Sequence, residues 1–147
     1  MPSNVSSFCI FNSFSHLFFF SRRFEFYEER LSWEEAKNFC VRRTGRRLAE
    51  ARTQEQFDAI CDFSVQNADF WLGGSDLANE GDFLWNSDNS RVELSRFFNH
   101  GEPSGGHYEH CLGFSVQGLS DFRCKDWDRK SFLCESGASG DVPVCLD

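Results

Sequence analysis

The 147 residues carry a net charge of −8 and suit one domain with a single real core. From Thr53 to Asp147 there are 17 acids against 6 Lys and Arg, a balance of −11, and the remainder balances at +3. An acidic body argues against a nucleic-acid-binding surface there and is compatible with cation binding, although a plain solvated surface is the commoner meaning.

The chain opens on a stretch, Met1 to Phe20, without Lys, Arg, Asp or Glu. Its apolar run suggests a degenerate signal segment over residues 1–22, but a basic start and a small-x-small cleavage site are missing. Asn4-Val5-Ser6 is a glycosylation sequon within it. The seven cysteines include no C-x-x-C pair, which argues against a zinc ribbon or a thioredoxin-type site. Their wide spacing fits structural disulfides and an oxidising, extracellular setting. Loss of Cys9 with the leading segment would leave an even six.

Arg23 to Glu28 alternates charged and aromatic residues and predicts a strand with one buried face. Ser32-Trp33-Glu34-Glu35 is a capping box that opens a helix to about Arg43. Trp33, Ala36, Phe39 and Cys40 make its inner stripe, and Gly45 stops it. Leu48-Ala49 then enters the core. Thr53-Gln54-Glu55-Gln56 reads as a second capping box, before a helix with Phe57, Ile60 and Cys61 on its apolar face. Short strands are predicted at Phe70–Gly74, Asp82–Trp85, His110–Val116 and Ser131–Glu135. Ser95 to Glu109 shows no regular pattern, and Gly137 to Asp147 is a short tail. Two helices followed by many short strands give an α+β domain with mostly antiparallel pairing, over residues 23–136.

Oxygen donors gather on the irregular stretch. Glu102 and Glu109 flank a turn stiffened by Pro103, and Cys111 anchors its far end. Asp121 and Cys124 follow. Carboxylates on crosslinked loops are what a hard cation such as Ca²⁺ requires. The bland meaning is a set of ordinary exposed acids. His100, His107 and His110 lie on a loop without helical i, i+4 pairing, so they read as solvent-exposed rather than as a zinc set. Arg42-Arg43 and Arg46-Arg47 form a basic patch at the end of the first helix, where cations are favoured in any case. Glu102 and Asp121 could imitate a glycosidase pair, but nothing else supports catalysis, and the chain reads as a non-enzyme.

These features together resemble a C-type lectin-like domain. The resemblance is carried by Leu31-Ser32-Trp33-Glu34-Glu35-Ala36 through Cys40, by Trp71-Leu72-Gly73-Gly74, and by Glu80-Gly81 with Phe83-Leu84-Trp85. Glu102-Pro103-Ser104, Cys111, Cys124 and Phe132-Leu133-Cys134-Glu135 complete it. It implies two helices packed on two small antiparallel sheets, with disulfides Cys40–Cys134 and Cys111–Cys124. It leaves Cys61 and Cys145 to pair with each other or with another chain. It further implies a loop Ca²⁺ held by Glu102, Ser104, Glu109 and Asp121, with Ser120 joining them in sugar binding and a cis Glu102–Pro103 bond. Asp76 and Glu80 match two ligands of an auxiliary calcium position that Glu109 would share, although Gly105 stands where an acid is needed.

The chain departs from the sugar-binding pattern with Ser in place of Asn at 104 and 120, Leu119 in place of Trp, and His110 in place of Asp. A serine offers one hydroxyl where an amide offers a carbonyl and an N–H. Glu102 in the first tripeptide position implies mannose, fucose or N-acetylglucosamine over galactose. The implied partners are glycans on cell or microbial surfaces, in recognition or innate defence, and a homo-oligomer would add multivalency. The alternative is a domain that has lost calcium and recognises a protein or serves a matrix role.

Overall fold

The computed structural model describes residues 24–64, 67–93, 97–115, 118–125 and 127–135. The expectations for residues 1–22, the sequon and the tail from Gly137 lie outside them.

Strand β1 (Phe24–Leu31) leads into helix α1 (Trp33–Thr44), and helix α2 (Gln54–Ser64) follows. The Ser32 hydroxyl accepts from Glu35 N, and Glu35 Oε1 accepts from Ser32 N at 3.0 Å, so the first capping box is complete. Gly45 caps the far end at φ 72°, a conformation that suits glycine. The second box forms only in part. Thr53 Oγ1 accepts from Gln56 N, but Gln56 Oε1 reaches back one residue further, to Arg52 N at 2.8 Å.

Five more strands complete the domain: β2 (Phe70–Ser75), β3 (Leu84–Trp85), β4 (Cys111–Ser115), β5 (Gly118–Phe122) and β6 (Lys130–Glu135). Their order is β1-β6-β2-β4-β5, with β3 on β2. β2 and β6 run parallel, with Trp71 opposite Phe132, and the other strand-to-strand ladders among the described residues are antiparallel. That pair joins the two expected antiparallel sheets into one mixed sheet. The reason lies in connectivity, because α1 and α2 come between β1 and β2 and so allow β2 to lie beside the C-terminal strand.

Two apolar clusters hold the layers together. One packs α2 through Phe57 and Ile60 against Phe70, Phe97, Phe114 and Leu119. The other packs α1 through Trp33, Ala36 and Cys40 against Trp71, Phe132 and Cys134. Buried indoles need acceptors. Trp33 Nε1 donates to Leu72 O at 2.8 Å and Trp71 Nε1 to Leu31 O at 2.9 Å, which ties α1 and β1 to β2. A Cβ on Gly73 would meet Leu48 O at 2.8 Å, so glycine is required where the two backbones touch.

Cys40–Cys134 and Cys111–Cys124 are both formed. Cys61 is fully buried and is disulfide-bonded too, with its pairing outside the described residues.

Candidate ligand-binding site

The irregular stretch turns at Gly101, whose φ is 86°, and the Glu102–Pro103 bond is cis, as the resemblance implies. Asp121, 4% exposed on β5, accepts at both carboxylate oxygens. Ser104 N donates to Oδ1 and Gly105 N to Oδ2, each at 2.9 Å. The sheet thereby dictates where the loop runs. Ser104 Oγ donates to Glu102 Oε1 and Oε2 at 3.2 and 3.3 Å. Burial, the hydrogen bond to Asp121 and the charge of Asp121 push the Glu102 carboxyl up to about 7, against the lowering bond from Ser104.

Glu109 lies against Gly105, where any Cβ would overlap it. Its carboxyl is also raised, by burial first and then by the charge of Asp121. Among the described residues, none of Glu102, Glu109 and Asp121 has a Lys, Arg or His at ion-pair distance. Glu102 and Asp121 lie close together, and Glu109 feels the charge of Asp121 partly offset by those of Arg123 and Lys130.

The loop therefore brings Glu102, Ser104, Glu109 and Asp121 into one region. It does not bring Ser120. That residue is buried, and its hydroxyl accepts from Asn99 Nδ2 at 3.0 Å. Asn99 also donates to Ser115 O at 2.7 Å and so pins the loop to the β4–β5 hairpin. Sequence reasoning missed Asn99, and no local pattern marks it, since its partners lie 16 and 21 positions on.

The auxiliary position is built differently from the expectation. Asp76, Glu80 and His110 bring their ligand atoms within 4.8 Å of one another, and among the described residues only these three acids or histidines cluster so closely. Glu109 is not in the group. His110 Nδ1 lies 2.8 Å from Asp76 Oδ1 and 3.5 Å from Glu80 Oε1. Its Nε2 donates to His107 O at 2.9 Å. The reading of His110 as solvent-exposed is thus corrected. Burial pulls its pKa down, but the bond and charge of Asp76, the His107 carbonyl and Glu80 outweigh that and raise it. A ring nitrogen between the two acids does not suit Ca²⁺, which takes six to eight oxygens. The imidazole of His110, with one nitrogen on Asp76 and the other on the His107 carbonyl, occupies that position instead.

The fold and these loops match a known pattern. The family model for the lectin C-type domain matches residues 29–136. The chain belongs to the C-type lectin family. C-type lectin 16 of Aedes aegypti is 31% identical over 112 residues, covering 71% of this chain and 70% of its own length. The galactose-specific lectin nattectin of Thalassophryne nattereri is 31% identical over 121 residues, covering 78% and 73%. The chain spans less of some relatives, such as 24% of C-type lectin domain family 4 member M of Hylobates lar. The carbohydrate-recognition domain of the mouse scavenger receptor C-type lectin superposes with a TM-score of 0.67 at 26% identity, over 77% of this C-type lectin and 88% of that chain. The family is generally one of carbohydrate-binding modules rather than enzymes.

The apo site has a pH signature. Because the Glu102 pKa is raised above 4.5, its folded form holds the proton more tightly than the unfolded form. Its stabilising contribution is present at low pH and is lost as pH rises toward about 7. In EDTA, Glu102→Gln should melt with the wild type at pH 4 and above it at pH 8, by on the order of 4 °C. Equal melting temperatures at pH 8 would show that the carboxylates do not strain the empty loop.

Proposed function

We propose that this C-type lectin binds carbohydrate through a Ca²⁺ held by Glu102, Ser104, Glu109 and Asp121. The observation that carries the reading is the uncompensated pair formed by Glu102 and Asp121 across the cis-proline turn. Carboxylates kept close without a Lys or Arg partner suit a divalent cation. The protein's own part is to hold them ready. Asp121 is fixed by two backbone N–H groups, and Ser104 orients Glu102. Gly105 leaves Glu109 its room. A calcium bound there would offer its remaining coordination positions to two vicinal sugar hydroxyls, which the same side chains would hydrogen-bond. Glu102 favours mannose-type hydroxyls over galactose on the family's tripeptide pattern, although nattectin is named for galactose. The disulfides support an extracellular setting. Among the described residues, no helix is long and apolar enough to cross a membrane.

Ser120 favours a second reading, in which the domain recognises a protein without metal. Its side chain is buried and its hydroxyl accepts from Asn99, so it is withdrawn from solvent rather than presented to a sugar.

Calcium titration of the disulfide-intact protein in a calorimeter separates the two. The expected result is saturable binding with Kd in the roughly millimolar range of weak extracellular modules. Glu102→Ala should abolish that binding, together with EDTA-sensitive retention on mannose resin. Absence of heat up to high calcium, or an unchanged isotherm in the variant, would leave the second reading standing. Galactose resin run in parallel tests the specificity.

A further inference from the structure

Among the described residues, four large apolar side chains are well exposed: Val41, Leu77, Tyr108 and Trp127. Three of them, Leu77, Tyr108 and Trp127, line one groove of about 730 Å³. Tyr108 is 79% and Trp127 71% exposed. Concentrating exposed rings in one place is what ligand surfaces do, whereas scattered ones need no explanation.

Arg123 and Lys125 line the same groove, and neither has an ion-pair partner among the described residues. They come from a part of the chain with 17 acids and only 6 Lys and Arg, so two cations on one groove with no ion-pair partner among the described residues run against its balance. Other cations of that part are paired, Arg91 with Asp82, Arg129 with Glu35 and Lys130 with Asp128. Rings beside cations select a ligand that has both an apolar face and an anionic group. A pyranose ring presents C–H faces to aromatic rings, and a sulfate or carboxylate on it can take the forked N–H groups of Arg.

The groove adjoins the carboxylate site. Tyr108 precedes Glu109, Arg123 follows Asp121 by two residues, and the charge of Arg123 is felt at Glu109. We propose that this groove is a subsite for an anionic saccharide, sulfated or bearing a uronic acid. Trp127 and Tyr108 pack on the sugar ring, and Arg123 and Lys125 take the anionic group. The inference rests on the carbohydrate reading for its ligand class, but not on calcium.

The test is a titration of the disulfide-intact protein with a heparin-derived tetrasaccharide in EDTA, followed by tryptophan fluorescence and calorimetry. A neutral mannotetraose and a sulfotyrosine peptide serve as comparisons. The expected result is saturable binding of the sulfated sugar that weakens with salt. Trp127→Ala, and the double variant Arg123→Ala with Lys125→Ala, should each weaken it about tenfold or more. Arg42→Ala with Arg43→Ala should not change it. Each variant lies at the surface, and an unchanged melting temperature confirms its fold. No binding overturns the proposal, and so does binding lost at Arg42 and Arg43 but kept in the groove variants. Equal binding of the neutral sugar, or preference for the peptide, also overturns it. Because calcium is absent throughout, failure here leaves the calcium site untouched, and success here does not depend on it.

Discussion

Replacing Cys40 and Cys134 together by alanine should cost about 4–5 kcal/mol of stability. The bridge spans 94 positions, from α1 to β6, so its loss frees nearly the whole domain in the unfolded ensemble. In the chain-entropy account the cost grows with the logarithm of loop length. Both cysteines are fully buried among Trp33, Leu48, Trp71 and Phe132. Two alanines would therefore also leave space unfilled there. β6 lies between β1 and β2, so the bridge fastens α1 to an interior strand rather than to an edge. Urea denaturation under non-reducing conditions reads the cost from the midpoint. The Cys111–Cys124 bridge spans only 13 positions and should cost about 3 kcal/mol by the same reasoning. A larger loss from the short bridge than from the long one would contradict this ordering.

Glu50→Ala should cost about 3 kcal/mol, the low end of what breaking a buried ion pair costs. Glu50 is fully buried. Its Oε1 accepts from Arg52 Nη1 at 3.0 Å and from Ser87 Oγ at 2.9 Å, and its Oε2 accepts from Ser87 N at 2.9 Å. It therefore stitches the segment after β-bridge residue Leu48 to the turn that follows β3. The variant leaves the Ser87 N–H and hydroxyl without their acceptor and removes one partner of Arg52. The low end applies because Arg52 is 30% exposed and keeps Asp88 at 2.6 Å. Glu50→Gln retains the shape and one acceptor, so it should lose less. The comparison is made by denaturation at pH 7. A cost below about 0.5 kcal/mol for the alanine variant, the range of ordinary surface changes, would mean that the network is not stabilising.

Neither effect was equally legible beforehand. The Cys40–Cys134 pairing came with the family resemblance, whereas Glu50 carries no signal at all. It sits beside Leu48-Ala49, which read as core, and its charge gave no hint that it too is fully buried. A carboxylate enters a core only when donors from elsewhere meet it, and Ser87 lies 37 positions away.

The features legible along the chain are local ones. The Ser32–Glu35 box and the stripe of Trp33, Ala36 and Cys40 specify α1, because these interactions join residues three or four positions apart. Glu102-Pro103-Ser104 marked the turn that forms the candidate site, and the carboxylate inventory pointed to a cation. Tertiary structure decided which of those groups meet. β5 sends Asp121 to the backbone of Ser104 and Gly105, while the hydroxyl of its neighbour Ser120 goes to Asn99. Successive side chains on a strand point to opposite faces, so a shared motif need not mean a shared site. In the same way the loop delivers His110, rather than Glu109, to Asp76 and Glu80, 34 positions from the former. Such contacts depend on the path of loops whose ends are set by sheet order, and no periodicity in the chain encodes that path.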